Sequence, residues 1–207
     1  ASASQRYLSG AHQGQVGLEK VEQGLARISE QAEHAAAVIR RLRGFLRKGQ
    51  RRLQRLAPAQ LLREAVNLCA WEAVQHQISV VEQFAAEVPL VQVDPILLQQ
   101  VLLNLLRNAI EANRERHPQA SSQITLQLDS AAGLVHIRVI DQGPGLSEDE
   151  RSKMFTPFYT SKPDGLGLGL SMSQGIVEGF GGGLEALPVD DGGLCLHCWL
   201  PVGASVD

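Results

Sequence analysis

A heptad repeat of apolar residues dominates the N-terminal part of the chain. Between Val21 and Leu46 the apolar positions alternate steps of four and three residues: Val21, Leu25, Ile28, Ala32, Ala35, Ile39, Leu42 and Leu46. Such a seam predicts a long helix that buries one stripe against a partner helix. Val38 and Phe45 widen the stripe, which favours a helical bundle over a two-stranded coiled coil.

The heptad repeat ends in a basic stretch that carries Arg40, Arg41, Arg43, Arg47, Lys48, Arg51, Arg52 and Arg55. Its one aromatic residue, Phe45, belongs to the apolar stripe and no others are present to stack on bases, so we interpret the stretch as a solvated helix face and linker rather than a nucleic-acid site. Gly49 and Pro58 bracket the expected boundary. We therefore predict a partial helical hairpin over residues 1–49, a linker over 50–57 and a second domain over 58–207.

The second domain alternates helical and strand-like patterns. Helices are predicted over 58–75, from Pro95 to about Arg116 with Asp94 as N-cap, and over about 170–180. Strands are predicted over 78–84, 90–93, 123–128, 134–140, 184–187 and 193–202. Together they predict an α+β, two-layer sandwich with helices on one face of a mixed sheet.

Charge and cysteine content limit the classes of partner. A net charge of -3 gives no overall field that would attract nucleic acid or an acidic membrane. Three scattered cysteines fit a reducing, cytoplasmic setting. Cys195, His197 and Cys198 could suggest zinc, but alternation places Cys198 on the opposite strand face, which favours a plain strand.

No apolar stretch reaches the roughly 18 residues of a membrane span, and Ala1-Ser2-Ala3-Ser4 has no signal-peptide layout. We expect no direct membrane contact from this sequence, which we interpret as part of a longer protein. Any inner-membrane anchor of the parent would lie in a missing sensor region.

Polar residues interrupt the apolar helix that begins at Pro95. Asn104, Asn108 and Glu111 follow a spacing of four and three, which places them on one face. Amides on such a helix need a partner, because burying them unsatisfied is costly. A ligand or metal ion is one candidate, and neighbouring loops are the other.

Two glycine-rich segments follow the helix. In the first, Asp141 is predicted to end a strand, and Gly143 and Gly145 would allow the backbone to pass close to a flat ligand. In the second, Gly165-Leu166-Gly167-Leu168-Gly169-Leu170 opens directly into a helix, whose exposed N–H groups and dipole suit phosphate. The segment is neither a Walker A loop nor a dinucleotide fingerprint.

In this order, and with Phe155-Thr156-Pro157-Phe158-Tyr159-Thr160-Ser161-Lys162 between the two glycine segments, the motifs resemble the N, G1, F and G2 boxes of sensor histidine kinases. These kinases belong to the ATPase superfamily shared with type II topoisomerases and mismatch-repair ATPases, the GHKL group. The resemblance is closest over 95–183 and looser from about 20 to 203. It implies the Bergerat ATP-binding fold, preceded by a dimerising helical hairpin of a four-helix bundle.

The resemblance also implies residue roles. Asn108 would bind Mg²⁺ beside the ATP triphosphate, supported by Asn104, and Asp141 would read adenine between Gly143 and Gly145. Phe155 and Phe158 would pack at the base of a short lid over 160–164, and Lys162 would lie near the γ-phosphate. The remaining residues expected to contact the nucleotide are Phe155, Thr160, Gly165, Leu166, Gly167, Leu168, Gly169 and Leu170.

Two departures from the family pattern qualify the function that the resemblance implies. Hydrolysing relatives carry a glutamate where this chain has Asn104, so transfer to a protein histidine, and then to an aspartate of a response regulator, is favoured over hydrolysis. Neither His12 nor His34 fits the acceptor motif, so we expect ATP binding without efficient self-phosphorylation. A non-catalytic or anti-sigma-type nucleotide-binding module and a GHKL ATPase, including a DNA-associated one, are the alternatives.

Overall fold

The computed structural model of the protein describes residues 52–161, 165–190 and 192–203. In chain order the elements are β1 (Gln54–Leu56), α1 (Pro58–Gln75), β2 (Ile78–Phe84), β3 (Val91–Val93), α2 (Pro95–Arg116), β4 (Ser122–Ala131), β5 (Leu134–Ile140), α3 (Glu148–Lys153), α4 (Gly169–Glu178), β6 (Gly183–Pro188) and β7 (Leu194–Pro201). The predicted heptad helix, His12, His34 and Lys162 lie outside the described residues.

The main sheet has five strands in the order β2-β4-β5-β7-β6. Strand β2 runs parallel to β4, and the other neighbouring strands are antiparallel. Along β4 and β5, alternate residues are buried, as the sequence pattern predicted. The mixed sheet is therefore confirmed, and its apolar face carries Ile124, Leu126, Leu128, Val135, Ile137 and Val139.

Helices α1, α2 and α4 cover this apolar face. The buried side of α2 contributes Leu98, Leu102, Leu105, Leu106 and Ile110 to the core. Asp94 caps the helix, since its Oδ1 accepts hydrogen bonds from the N–H groups of Ile96 at 3.0 Å and Leu97 at 3.3 Å. The two-layer α+β sandwich is confirmed, with α2 as its central helix.

Some elements escaped the sequence pattern. Strand β1 lies within the predicted linker and pairs with β3 in a separate small sheet. Helix α3 was not predicted, because six residues without a buried side chain leave no apolar stripe. A capping box formed by Ser147 and Glu150 begins this helix. Among the described residues, no helix is long and apolar enough to cross a membrane.

Candidate nucleotide-binding site

One face of α2 carries a stripe of residues spaced by four, Asn104, Asn108 and Ala112. The two glycine-rich segments, which contain Gly143 and Gly169, pack against the two ends of this stripe. A Cβ added at Gly169 would lie 2.5 Å from Asn104 Oδ1, and one added at Gly143 would lie 2.6 Å from the Cβ of Ala112. Asn108 is thus flanked by both segments along about 12 Å of helix.

Asn104 also ties α2 to α4. Its Nδ2 donates to Ser173 Oγ at 3.0 Å, and Ser173 is buried. Of the amide atoms, Oδ1 lies nearest to Gly169 at the N-terminus of α4. Ser173, which sequence reasoning missed, is therefore part of the support of the site.

Asp141 lies directly after β5 and is 4% exposed. Its Oδ1 accepts hydrogen bonds from the N–H groups of Gly143 at 2.8 Å and Leu194 at 3.0 Å. Burial raises the pKa of Asp141 above its usual range, and these two hydrogen bonds oppose the rise. Oδ2 accepts no hydrogen bond within the part of the chain that the structure describes, which leaves it available to a donor on a ligand.

The end of α2 holds the loop after Asp141. Asn113 Oδ1 accepts from the N–H of Gln142 at 2.7 Å, and His117 Nε2 donates to the carbonyl of Gln142 at 3.0 Å. Arg116 Nη1 donates to the carbonyl of Gly143 at 2.9 Å. Sequence reasoning missed these residues. The only signal was an amide, Asn113, on the apolar face of a helix.

The N-terminus of α4 presents backbone N–H groups. No side chain caps it, and the side chain at the N-cap position, Leu168, is 5% exposed. Leu170 packs against the core. Because both leucine side chains pack inward, the contribution of this segment to a ligand would come from its backbone amides and the helix dipole.

The aromatic residues of the predicted lid base behave differently from each other. Phe155 packs against the core, as expected. Phe158 is 73% exposed, so its predicted packing is wrong in this structure. Its φ of 68° directs the side chain outward while its N–H donates to the carbonyl of Gly167 at 2.9 Å. Thr160 is exposed, and Lys162 lies outside the described residues.

The cysteine–histidine cluster lies in strand β7, as the sequence pattern predicted. His197 Nδ1 lies 2.8 Å from Glu185 Oε1, and its Nε2 lies 3.0 Å from His136 Nδ1. Burial raises the pKa of Cys195 to about 11 and that of Cys198 to about 12. Over the ranges 52–161, 165–190 and 192–203, no group of three or more potential ligands could hold a metal ion.

The fold and the site define an ATP-binding domain in which a central helix, a strand-end carboxylate and a glycine-rich helix N-terminus converge. Residues 93–204 match the family described as "Histidine kinase-, DNA gyrase B-, and HSP90-like ATPase". The chain belongs to this family, and it carries the ATP-binding catalytic domain of sensor histidine kinases.

Curated relatives are sensor proteins of bacteria. The C4-dicarboxylate transport sensor protein DctS of Rhodobacter capsulatus is 36% identical over 185 residues, which cover 89% of this chain and 28% of that protein. Sensor protein FixL of Bradyrhizobium diazoefficiens is 34% identical over 182 residues, with 88% and 36% covered. Sensor histidine kinase ZraS of Salmonella typhi is 36% identical, with 72% and 34% covered. The chain thus spans about a third of the length of these relatives.

Solved structures agree on the fold. The nucleotide-free catalytic domain of histidine kinase ThkA is 28% identical, with a TM-score of 0.65 over 72% of this chain and 95% of that domain. Full-length ShkA, solved in complex with AMPPNP, has a TM-score of 0.73 over 90% of this chain and 40% of that protein. At 22% identity, ShkA supports the fold alone.

Proposed function

We propose that this chain binds Mg²⁺-ATP and transfers its γ-phosphate to a histidine of a dimerisation domain, from which it passes to an aspartate of a response regulator. The observation that carries the proposal is the α2 stripe, on which Gly143 and Gly169 close against either end while Asn108 lies between them. This arrangement offers a base-binding end and a phosphate-binding end along one rigid helix.

Each end of the stripe has chemistry suited to its task. Asp141 offers a carboxylate oxygen to the exocyclic amine of adenine, whereas guanine would present a carbonyl there. The uncapped N–H groups of α4 suit phosphate oxygens. Asn108, with Asn104 in support, offers amide oxygens of the kind that Mg²⁺ accepts beside phosphate and water. When bound, Mg²⁺ would neutralise charge that develops on the phosphates.

Lys162 would add positive charge near the γ-phosphate, and Thr160, Gly165, Leu166 and Gly167 would border the nucleotide. In the transfer, an imidazole nitrogen of the acceptor forms a bond to the γ-phosphorus while the bond to the ADP oxygen breaks. The amides of the glycine segment would stabilise the charge on the transferred group.

Transfer is favoured over hydrolysis by Asn104. An amide cannot take a proton from water at neutral pH. In addition, Asn104 Nδ2 donates a hydrogen bond to Ser173 Oγ, so this side of the amide serves the scaffold. We also propose that residues 1–49 form part of the hairpin through which two copies associate, joined by a linker over 50–57 to the ATP-binding domain over 58–207. A cytoplasmic position would give this domain access to ATP and to the regulator.

A trans-phosphorylation assay tests the proposal. The chain is mixed with γ-labelled ATP, Mg²⁺ and a hairpin fragment of the parent that retains its acceptor histidine. We expect label on the hairpin, and loss of label with Asn108→Asp. Leu187→Ala, at an exposed position of β6, serves as the matched control and should label normally. Steady phosphate release without labelled protein would contradict the kinase proposal and favour a GHKL ATPase.

A further inference from the structure

The last turns of α2 contain a buried amide that no ligand contact explains. Asn113 is fully buried, at 0% exposure. Its Nδ2 donates to Ser122 Oγ at 3.1 Å and to the carbonyl of Gln123 at 2.9 Å, while its Oδ1 accepts from the N–H of Gln142 at 2.7 Å. Both donors and the acceptor are thus used inside the protein, which makes Asn113 a link between α2, the start of β4 and the loop after β5.

The same loop has further anchors. His117 Nε2 donates to the carbonyl of Gln142 at 3.0 Å, and Arg116 Nη1 donates to the carbonyl of Gly143 at 2.9 Å. The side chain of Gln142 accepts from the N–H of Gln123 at 2.7 Å. The carbonyl of the peptide unit that joins Gln142 to Gly143 is therefore held by His117. Asn113 holds the peptide unit before it and Arg116 the one after it, so the backbone on both sides of this peptide unit is fixed by the end of α2.

That peptide unit determines where the carboxylate of Asp141 points. Its N–H, which belongs to Gly143, donates to Asp141 Oδ1 at 2.8 Å. If the peptide rotates, this hydrogen bond is lost, and only the N–H of Leu194 still holds Oδ1. A carboxylate held by one bond can turn about its side-chain torsions, so the position of Oδ2 depends on what fixes the peptide.

We propose that Asn113 is a positioning residue that fixes the orientation of Asp141 for the nucleotide base, with His117 as a second anchor. This inference rests on the proposed function, because it requires Asp141 to contact the base. Asn113 follows Asn108 by five residues, or about 7.5 Å of helix. One rigid helix would thus set both the metal-binding amide and the direction of the base-reading carboxylate.

Calorimetry of the full chain tests the proposal with two probes. ADP with Mg²⁺ reports the base and the phosphates together, whereas Mg²⁺-tripolyphosphate reports the phosphates alone. Asn113→Ala should raise the Kd for ADP about five- to tenfold, since it weakens an interaction of a charged group. It should leave the Kd for tripolyphosphate unchanged. A folded Asn113→Ala variant with unaltered ADP affinity, or with equal losses for both probes, would overturn the inference.

Val135→Ala is the matched control. Val135 is fully buried at the opposite end of β5 from Asp141, so this change lowers stability without touching the loop. We expect the ADP affinity of Val135→Ala to equal that of the unmodified chain. If Val135→Ala loses ADP affinity as strongly as Asn113→Ala, the effect of Asn113 is general destabilisation and the positioning role is wrong.

A double-mutant cycle separates this inference from the proposed function. In the Asp141→Asn background, Asn113→Ala should cost no further ADP affinity, because both changes act through one contact. Additive losses would overturn the positioning role while leaving Asp141 as the base reader. If Asp141→Asn alone leaves the Kd for ADP unchanged, the base-reading role itself fails.

His117 provides a milder variant should Asn113→Ala fail to fold. His117→Ala removes one anchor of the Gln142 carbonyl and should raise the Kd for ADP about two- to fivefold, as expected for a single hydrogen bond. His117→Gln retains an N–H donor and should restore the affinity. Unchanged ADP binding by His117→Ala, or no recovery with His117→Gln, would contradict the second anchor.

Discussion

Replacing Asp141 by asparagine changes one polar group of the site. Its effect on nucleotide affinity can be measured separately from its effect on the stability of the fold. Asn can still accept the N–H bonds of Gly143 and Leu194 through its Oδ1, so the buried contacts of 2.8 Å and 3.0 Å are retained. In place of Oδ2, however, it presents an N–H₂ group to the amine of adenine. Losing a hydrogen bond to a charged group costs about 1.5–3 kcal/mol, which corresponds to a rise in the Kd for ADP of about 10- to 150-fold.

The same change should not destabilise the protein without ligand. Burial raises the pKa of Asp141, so the fold disfavours its charged form. The stability that protonated Asp141 contributes is fully present below its unfolded pKa of about 4 and is lost as pH rises through its higher folded pKa. Asparagine does not ionise. The difference in melting temperature between Asp141→Asn and the unmodified chain should therefore shift in favour of Asp141→Asn as the pH rises from 4 to neutral.

Two measurements check this reasoning. Calorimetry with ADP and Mg²⁺ gives the change in Kd, and thermal unfolding followed by circular dichroism gives the melting temperature across the pH series. Weaker ADP binding together with an equal or higher melting temperature at neutral pH is the expected result. Unchanged ADP affinity would refute the base-reading role, and a lower melting temperature at neutral pH would refute the argument from burial.

Other predictions follow from packing and burial. Gly143→Ala places a methyl group 2.6 Å from the Cβ of Ala112 and should lower the free energy of unfolding by about 1–3 kcal/mol; an unchanged urea midpoint would contradict the close approach. Ser173→Ala removes the acceptor of Asn104 Nδ2 and should cost about 1 kcal/mol in the same urea assay, whereas no loss would show that this bond adds nothing to stability. Burial raises the pKa of Cys195 to about 11 and of Cys198 to about 12, so a thiol reagent at pH 7 should label them only after denaturation; rapid labelling of the native chain would contradict their burial.

Much of the fold could be predicted because its signals are local. The alternation of apolar residues along β4 and β5, and the Asp94-Pro95 start of α2, depend only on neighbours a few positions apart. The same holds for the order of Asn108, Asp141 and the glycines before α4. Elements without such a pattern were missed, among them the short helix Glu148–Lys153 and the three-residue strand Gln54–Leu56.

Local sequence patterns did not predict the role of every polar residue in the site. Asn104, Asn108 and Asn113 are all amides on one helix, and the sequence cannot tell an amide that serves a ligand from one that serves the scaffold. The structure assigns Asn113 to the scaffold through Ser122, Gln123 and Gln142. Phe158 was expected to pack, yet its positive φ turns it to solvent.

The sequence by itself determined which groups are available and in what order they follow, since helical and strand periodicity is set by backbone geometry over a few residues. Only the tertiary structure decided which of those groups meet. Gly143 reaches Ala112, and Gly169 reaches Asn104, because the sheet and α4 fold back onto α2. Hydrogen-bond partners in a folded core come from segments far apart in the chain, and no local periodicity encodes that pairing.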